Sequence, residues 1–211
     1  HWWSRRQRQM CIRDSIYGFQ WRHFGAEYKG KEADYTGKGV DQITNLINTL
    51  QTNPHSRRMV LSAWCPTQLK QMCLPPCHVM YQFYVESDQR VSVQMTQRSS
   101  DVFLGLPFNI ASTALLLHLI AHQVDREPGR IIIRIGDTHI YEEHTEACRQ
   151  QQQTPCAPLP NITIQRPKDY LWNVQNGQIT LHNYTPQATI KAKMKAWRDY
   201  GEQSRRKYIP A

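Results

Sequence analysis

A thiol stands directly behind two prolines and directly ahead of an alternating run in LPPCHVMYQFYV, residues 74–85. Cys77 could be half of a disulfide, a metal ligand, a core thiol or a nucleophile. The chain holds six cysteines, an even count that invites pairing. It is nevertheless long and opens on polar and basic residues with no apolar signal region, so a reducing compartment is expected. CxxxCH at 73–78 supplies only half of a zinc site, and no metal is expected. His78 is adjacent, but neighbouring side chains on a strand point to opposite faces, which argues against a Cys77–His78 dyad. A free thiol is ordinarily buried and inert. One held at a strand edge beside arginines is instead suited to nucleophilic attack.

Two other segments supply partners for such a thiol. QRSSDVFLGLPFN (97–109) gathers Gln97, Arg98, Ser99, Ser100, Asp101 and Asn109. An arginine and serine hydroxyls at a helix N-terminus make an anion cradle, and phosphate matches the guanidinium fork best. Asn109 carries both a donor and an acceptor, the pattern that reads an imide or amide edge. The plainer reading is a capped helix start with Ser99 or Asp101 as the cap. GDTHIY (136–141) puts Asp137, His139 and Tyr141 on one strand face, where histidine and tyrosine can bond a hydroxyl. The plainer reading there is two satisfied half-buried side chains. His139 and His144 are five apart, which suits no common metal motif. Arg57 and Arg58 precede an apolar strand and also call for an anion.

The elements that must position these residues follow from periodicity. Val40, Ile43, Leu46, Ile47 and Leu50 recur at helical spacing, with Asp41 as cap and Asn53-Pro54 as stop. RRMVLSAW (57–64) reads as a strand. HVMYQFYVE alternates Val79, Tyr81, Phe83 and Val85 against His78, Met80, Gln82 and Tyr84. RVSVQMTQ (90–97) alternates too, and the polar ESDQ between them predicts a hairpin. IASTALLLHLIAHQVD (110–125) predicts a helix whose buried stripe is Ile110, Ala114, Leu117, Ala121 and Val124, widened by Leu115 and Ile120 and broken by Gly129. Ile131, Ile133 and Ile135 predict a strand running into GDTHIY. EEHTEACRQQQQ predicts a short helix, and NITIQ a short strand. Sheet plus long helices gives an α/β or α+β domain.

Composition agrees with one folded domain: the 211 residues are 40% hydrophobic and 20% charged. No apolar run reaches membrane-spanning length. The formal charge is +9, partly in RRQR (5–8) and RRK (205–207). No aromatic-interleaved RNA motif accompanies these ends, so RNA binding is unsupported.

Taken in order, YGFQWRHFGAEY, GVDQI, NPHSRRMVLSAW, LPPCH, QFYV, QRSSDVFLGLPFNIAS, GDTHIY and YTPQATIKAKM resemble the thymidylate synthase family. The resemblance covers residues 16–196. It implies a mixed twisted sheet flanked by helices, in a homodimer that packs through the sheet, while the unpaired thiols and the absent signal region lead to the expectation of a cytoplasmic location. It implies reductive methylation of dUMP to dTMP, with 5,10-methylenetetrahydrofolate as co-substrate and no metal. On that resemblance Cys77 adds to uracil C6, with Tyr17 and Asn109 also catalytic. Tyr17 would line the site and help the C5 proton leave. Arg98 would stabilise the thiolate and bind phosphate with Ser99, while Gln97, Asp101 and Asn109 would line the nucleotide pocket. Asn109 would hold O4 and N3–H of uracil, and His139 and Tyr141 the 3′-hydroxyl. Arg57 and Arg58 would reach the partner subunit's phosphate. Asp101 would also meet the folate, and Gly105 would leave room for it.

The chain also departs from the family pattern. Residues 1–15 read as a basic leader foreign to the family, with QMCIRDS resembling sequencing read-through, and 197–211 as a basic extension. The family's N-terminal third is expected to be missing. AWCP stands for AWNP with Cys65 in place of Asn, TPCAPLP for an REPRP-like segment, and YTPQA for YxPHP. The alternatives are a deoxyuridylate hydroxymethylase of the same superfamily, or an inactive truncated fragment.

Overall fold

The computed structural model describes residues 16–72, 74–165, 177–194 and 209–210. The leader 1–15, Cys73, and the extension 197–211 apart from its strand pair at 209–210 lie outside them. Helix α1 (Tyr17–His23) leads through a loop to α2 (Gln42–Thr52). Asp41 caps α2 as its position predicts: its carboxylate accepts from the Thr44 backbone N–H at 3.0 Å and from Arg22 Nε at 2.9 Å. The loop returns so tightly that a Cβ on Gly39, whose φ is +69°, would meet the His23 carbonyl oxygen at 2.5 Å. Only glycine tolerates both demands. That close pass pairs Phe24 with Val40, which therefore lies exposed outside the predicted stripe.

Strands β1 (Val60–Ser62), β2 (His78–Val85), β3 (Val91–Asp101) and β4 (Pro128–Ile140) lie in that order in one sheet, with β7 (Ile209–Pro210) on the outer edge of β4. β1–β2 and β2–β3 are antiparallel, the latter being the predicted hairpin, and β3–β4 is parallel. The parallel pair needs a crossover, which α3 (Leu106–Gln123) supplies. β5 (Asn161–Ile164) and β6 (Ile179–His182) form a separate hairpin. α4 (Thr145–Gln152) follows a 3-10 turn at Glu142–His144.

One face of the sheet is the core. Leu61, Tyr81, Phe83, Val93 and Met95 are buried against Ile43, Leu46, Ile47 and Leu50 of α2 and Leu117, Ile120 and Ala121 of α3. Each such side chain contributes about 1.5–3 kcal/mol relative to exposure. The other face carries Gln82, Tyr84, Gln94, Thr96, Ile132 and Arg134, all partly or fully exposed.

Several local expectations are corrected. The strand in RRMVLSAW is only three residues long. The α3 stripe runs through Thr113, Leu117, Ile120 and Ala121, and Ile110 is exposed. The helix begins four residues earlier than predicted, and of the predicted stripe Leu117, Ile120, Ala121 and Val124 are buried. It ends at Gln123, with Asp125 at φ 57°, so the turn comes before Gly129, which belongs to β4. QRSSD is the end of β3 rather than a helix start, and α3 begins at Leu106 with no side-chain cap. The predicted cradle at a helix N-terminus is therefore not formed by Arg98 and Ser99.

Candidate active site

Cys77 sits one residue before β2, where the prolines have just delivered the chain to the sheet. Three bonds hold this junction. The Arg98 backbone N–H donates to the Cys77 carbonyl at 2.9 Å. The Tyr17 hydroxyl accepts from the Cys77 N–H at 2.8 Å and from the His78 N–H at 3.3 Å. Arg98 points its guanidinium back along the same loop: Nε donates to the Pro76 carbonyl at 3.0 Å, and an Nη to the Pro75 carbonyl at 2.9 Å. That same Nη lies 3.8 Å from Cys77 Sγ. The two prolines thus do more than stiffen the loop. Their carbonyls aim the cation at the sulfur, which sequence reasoning missed because backbone acceptors carry no side-chain signal.

His78 turns away from Cys77, as strand geometry requires, but not to the predicted face. A register shift between His78 and Met80 puts His78 in the core beside Tyr81. Its Nδ1 lies 2.8 Å from the Tyr81 hydroxyl. Burial pushes the His78 imidazole below the usual histidine range, with the Asn109 side chain acting the other way. Its Nε2 remains without a hydrogen-bond partner. Burial, and then the Cys77 sulfur, push the Tyr17 phenol above the usual tyrosine range.

Gln97 and Asn109 form a second group. Gln97 is buried, and its Nε2 donates to Asn109 Oδ1 at 2.8 Å and to the Ser99 carbonyl at 3.0 Å. This fixes the Asn109 amide: Oδ1 retains one lone pair and Nδ2 is presented as a donor. Gln97 Oε1 is buried with no partner. On β4, Asp137 Oδ1 lies 3.2 Å from His139 Nδ1. A carboxylate accepts, so Nδ1 carries the proton and Nε2 is left as an acceptor. The Tyr141 ring stands 5.2 Å from that of His139. The sheet register puts Ser99 beside Asp137 and Asp101 beside His139. Asp101 Oδ1 accepts from the Phe103 and Leu104 N–H groups, so it shapes the turn into α3. Gly105 ends that turn, where a Cβ would meet the Asp101 carbonyl oxygen at 2.9 Å.

One end of the sheet therefore unites Tyr17, Cys77, Gln97, Arg98, Ser99, Asp101, Gly105, Asn109, His139 and Tyr141. Arg57 and Arg58 do not join them. Both are exposed just before β1, whose register with β2 sets them toward the far end, beyond the Val60–Gln82 pair. Among the described residues no cluster of His, Cys, Asp or Glu could hold a metal ion, and no helix is long and apolar enough to cross a membrane.

Comparison with known proteins identifies the family. The family model described as thymidylate synthase matches residues 1–196. The chain is 46% identical over 179 residues to thymidylate synthase of Homo sapiens, covering 85% of this chain and 57% of the human protein. It is 46% identical to thymidylate synthase of Herpesvirus ateles, covering 85% of this chain and 61% of that protein. It is 48% identical to the bifunctional dihydrofolate reductase-thymidylate synthase of Zea mays, covering 85% of this chain and 34% of that one. The chain thus spans well under two thirds of each of these relatives.

Proposed function

The chain belongs to the thymidylate synthase family, and on that premise we propose that its site methylates dUMP to dTMP with Cys77 as the nucleophile. The observation that carries this reading is the Arg98 Nη 3.8 Å from Cys77 Sγ, fixed there by the Pro75 and Pro76 carbonyls. Uracil C6 is a Michael-type electrophile, and a thiolate is the side chain that both adds to it and later leaves. Arg98 supplies positive charge to the sulfur and, with Ser99, to the phosphate. Asn109 donates from Nδ2 to O4 and accepts N3–H on its remaining lone pair. This matches uracil, whereas cytosine reverses the donor at position 4 and lacks N3–H. Nε2 of His139 accepts from the 3′-hydroxyl, with Tyr141 beside it. Tyr17, held against the Cys77 N–H, is placed to relay the C5 proton. 5,10-Methylenetetrahydrofolate supplies the one-carbon unit and the hydride, and leaves as dihydrofolate. Asp101 and Gly105, which together make the tight turn into α3, would hold it.

The partly exposed sheet face with Ile132 and Arg134 supports a homodimer, and the exposed Arg57 and Arg58, remote from their own Cys77, support their service to the partner's phosphate. The free thiols of Cys65 and Cys77 suit a reducing, cytoplasmic setting. The hydroxymethylase alternative is not favoured, because the relatives are named as thymidylate synthases. Turnover tests the choice. With dUMP and methylenetetrahydrofolate, a synthase forms dihydrofolate in step with dTMP. Hydroxymethyl product without dihydrofolate would overturn the reading.

A further inference from the structure

We propose that His144 is a positioning residue that ties the stretch around Lys193 to the Asp101 turn. The inference rests on the synthase reading for what Asp101 faces, and on the structure alone for the tie. His144 ends the 3-10 turn after β4 and is 1% exposed. Its ring packs against Phe103 and Tyr141, each centroid 5.6 Å away. Nε2 lies 2.9 Å from the Lys193 carbonyl oxygen. A carbonyl only accepts, so Nε2 carries a proton. Nδ1 then has no hydrogen-bond partner and stands 3.9 Å from Asp101 Oδ1. That oxygen is the one that shapes the turn into α3 through the Phe103 and Leu104 N–H groups. Burial, and then the Asp101 carboxylate, push the Cys148 thiol up, a second sign that this carboxylate faces α4.

Among the described residues, the stretch that His144 holds has few other anchors. Residues 183–194 form no helix or strand and are mostly exposed. Gln187 Nε2 donates to the Pro155 carbonyl at 3.1 Å, six residues before Lys193. One buried imidazole therefore contacts both the Lys193 backbone and the turn that presents Asp101 and Gly105. Most uridylate-facing groups are held by other bonds, Arg98 by proline carbonyls, Asn109 by Gln97 and His139 by Asp137, and the ring contact of Tyr141 with His144 is kept by a phenylalanine there. Loss of the tie loosens the folate side of the site and leaves the nucleotide side in place.

Three proteins decide this: wild type, His144→Gln, which keeps an N–H donor, and His144→Phe, which keeps the ring and removes both nitrogens. Amide hydrogen exchange of 189–194 is measured, with equilibrium binding of dUMP and of 5,10-methylenetetrahydrofolate. In His144→Phe the exchange rises and the folate Kd rises about three- to tenfold, the loss of one buried hydrogen bond, while the dUMP Kd holds. His144→Gln recovers most of both. Unchanged exchange in His144→Phe, equal weakening of both ligands, or a Gln variant as impaired as the Phe variant overturns the proposal. If wild type binds neither ligand, the synthase reading fails while exchange alone still decides the tie. If His144→Phe does not fold, nitrogen NMR of the wild-type ring decides: a protonated Nε2 supports the tie, and a bare Nε2 overturns it.

Discussion

Tyr17 shows how one side chain serves both the fold and the site. Its hydroxyl accepts two backbone N–H groups that precede or open β2, and burial holds its proton past the usual tyrosine range. Unfolded tyrosine gives up that proton near pH ~10. Above that pH the unfolded state binds fewer protons than the folded one, so stability falls as pH rises. Tyr17→Phe removes this share of the alkaline slope and costs about 1–2 kcal/mol at neutral pH through the orphaned N–H groups. Urea unfolding at neutral and alkaline pH checks both effects, and parallel slopes in the two proteins would count against the account. Much at this scale was legible in advance. Cys77, Arg98, Asn109 and His139 carried distinctive chemistry in distinctive segments, and the structure brings them to one end of the sheet. The Pro75 and Pro76 carbonyls, the Tyr17 bond across 60 residues of sequence and the buried His144 were not legible. Backbone acceptors and long-range partners leave no periodic trace.

Among the elements, α2 was legible apart from Val40, because its cap, the rest of its stripe and its stop are all local. Asp41 carries that start: it accepts from the Thr44 N–H and pairs with Arg22 of α1, so it joins the two helices. Asp41→Ala should cost about 1–2 kcal/mol, with Asp41→Asn costing less because the amide oxygen still caps. Denaturant midpoints at unchanged m measure this, and equal losses would assign the effect to the Arg22 pair instead. The α3 stripe was only half legible. In a run such as ALLLHLIA most faces are hydrophobic, so periodicity alone does not single out the buried one, which tertiary packing decides. His78 failed for a similar reason: a bulge shifts the register by one residue and so exchanges the faces, and bulges are invisible to simple alternation.

For the molecule as a whole, the described residues cover the sheet on one face only. Ile132 is 37% exposed on the other, level with Gln94 and Gln82 across the strands. If two copies meet there, Ile132→Glu buries a charge in the interface and raises the dimer dissociation constant at least about tenfold. Sedimentation of both proteins reads this, and a wild type that stays monomeric at micromolar concentration would contradict the dimer. The central claim remains that Cys77 is a nucleophile toward uracil C6. The direct measurement is intact-protein and peptide mass after incubation with 5-fluoro-dUMP and methylenetetrahydrofolate. The account predicts a covalent ternary adduct on the peptide containing Cys77, absent in Cys77→Ser. A wild type that binds both ligands yet forms no adduct, or an adduct that persists in Cys77→Ser, would contradict it.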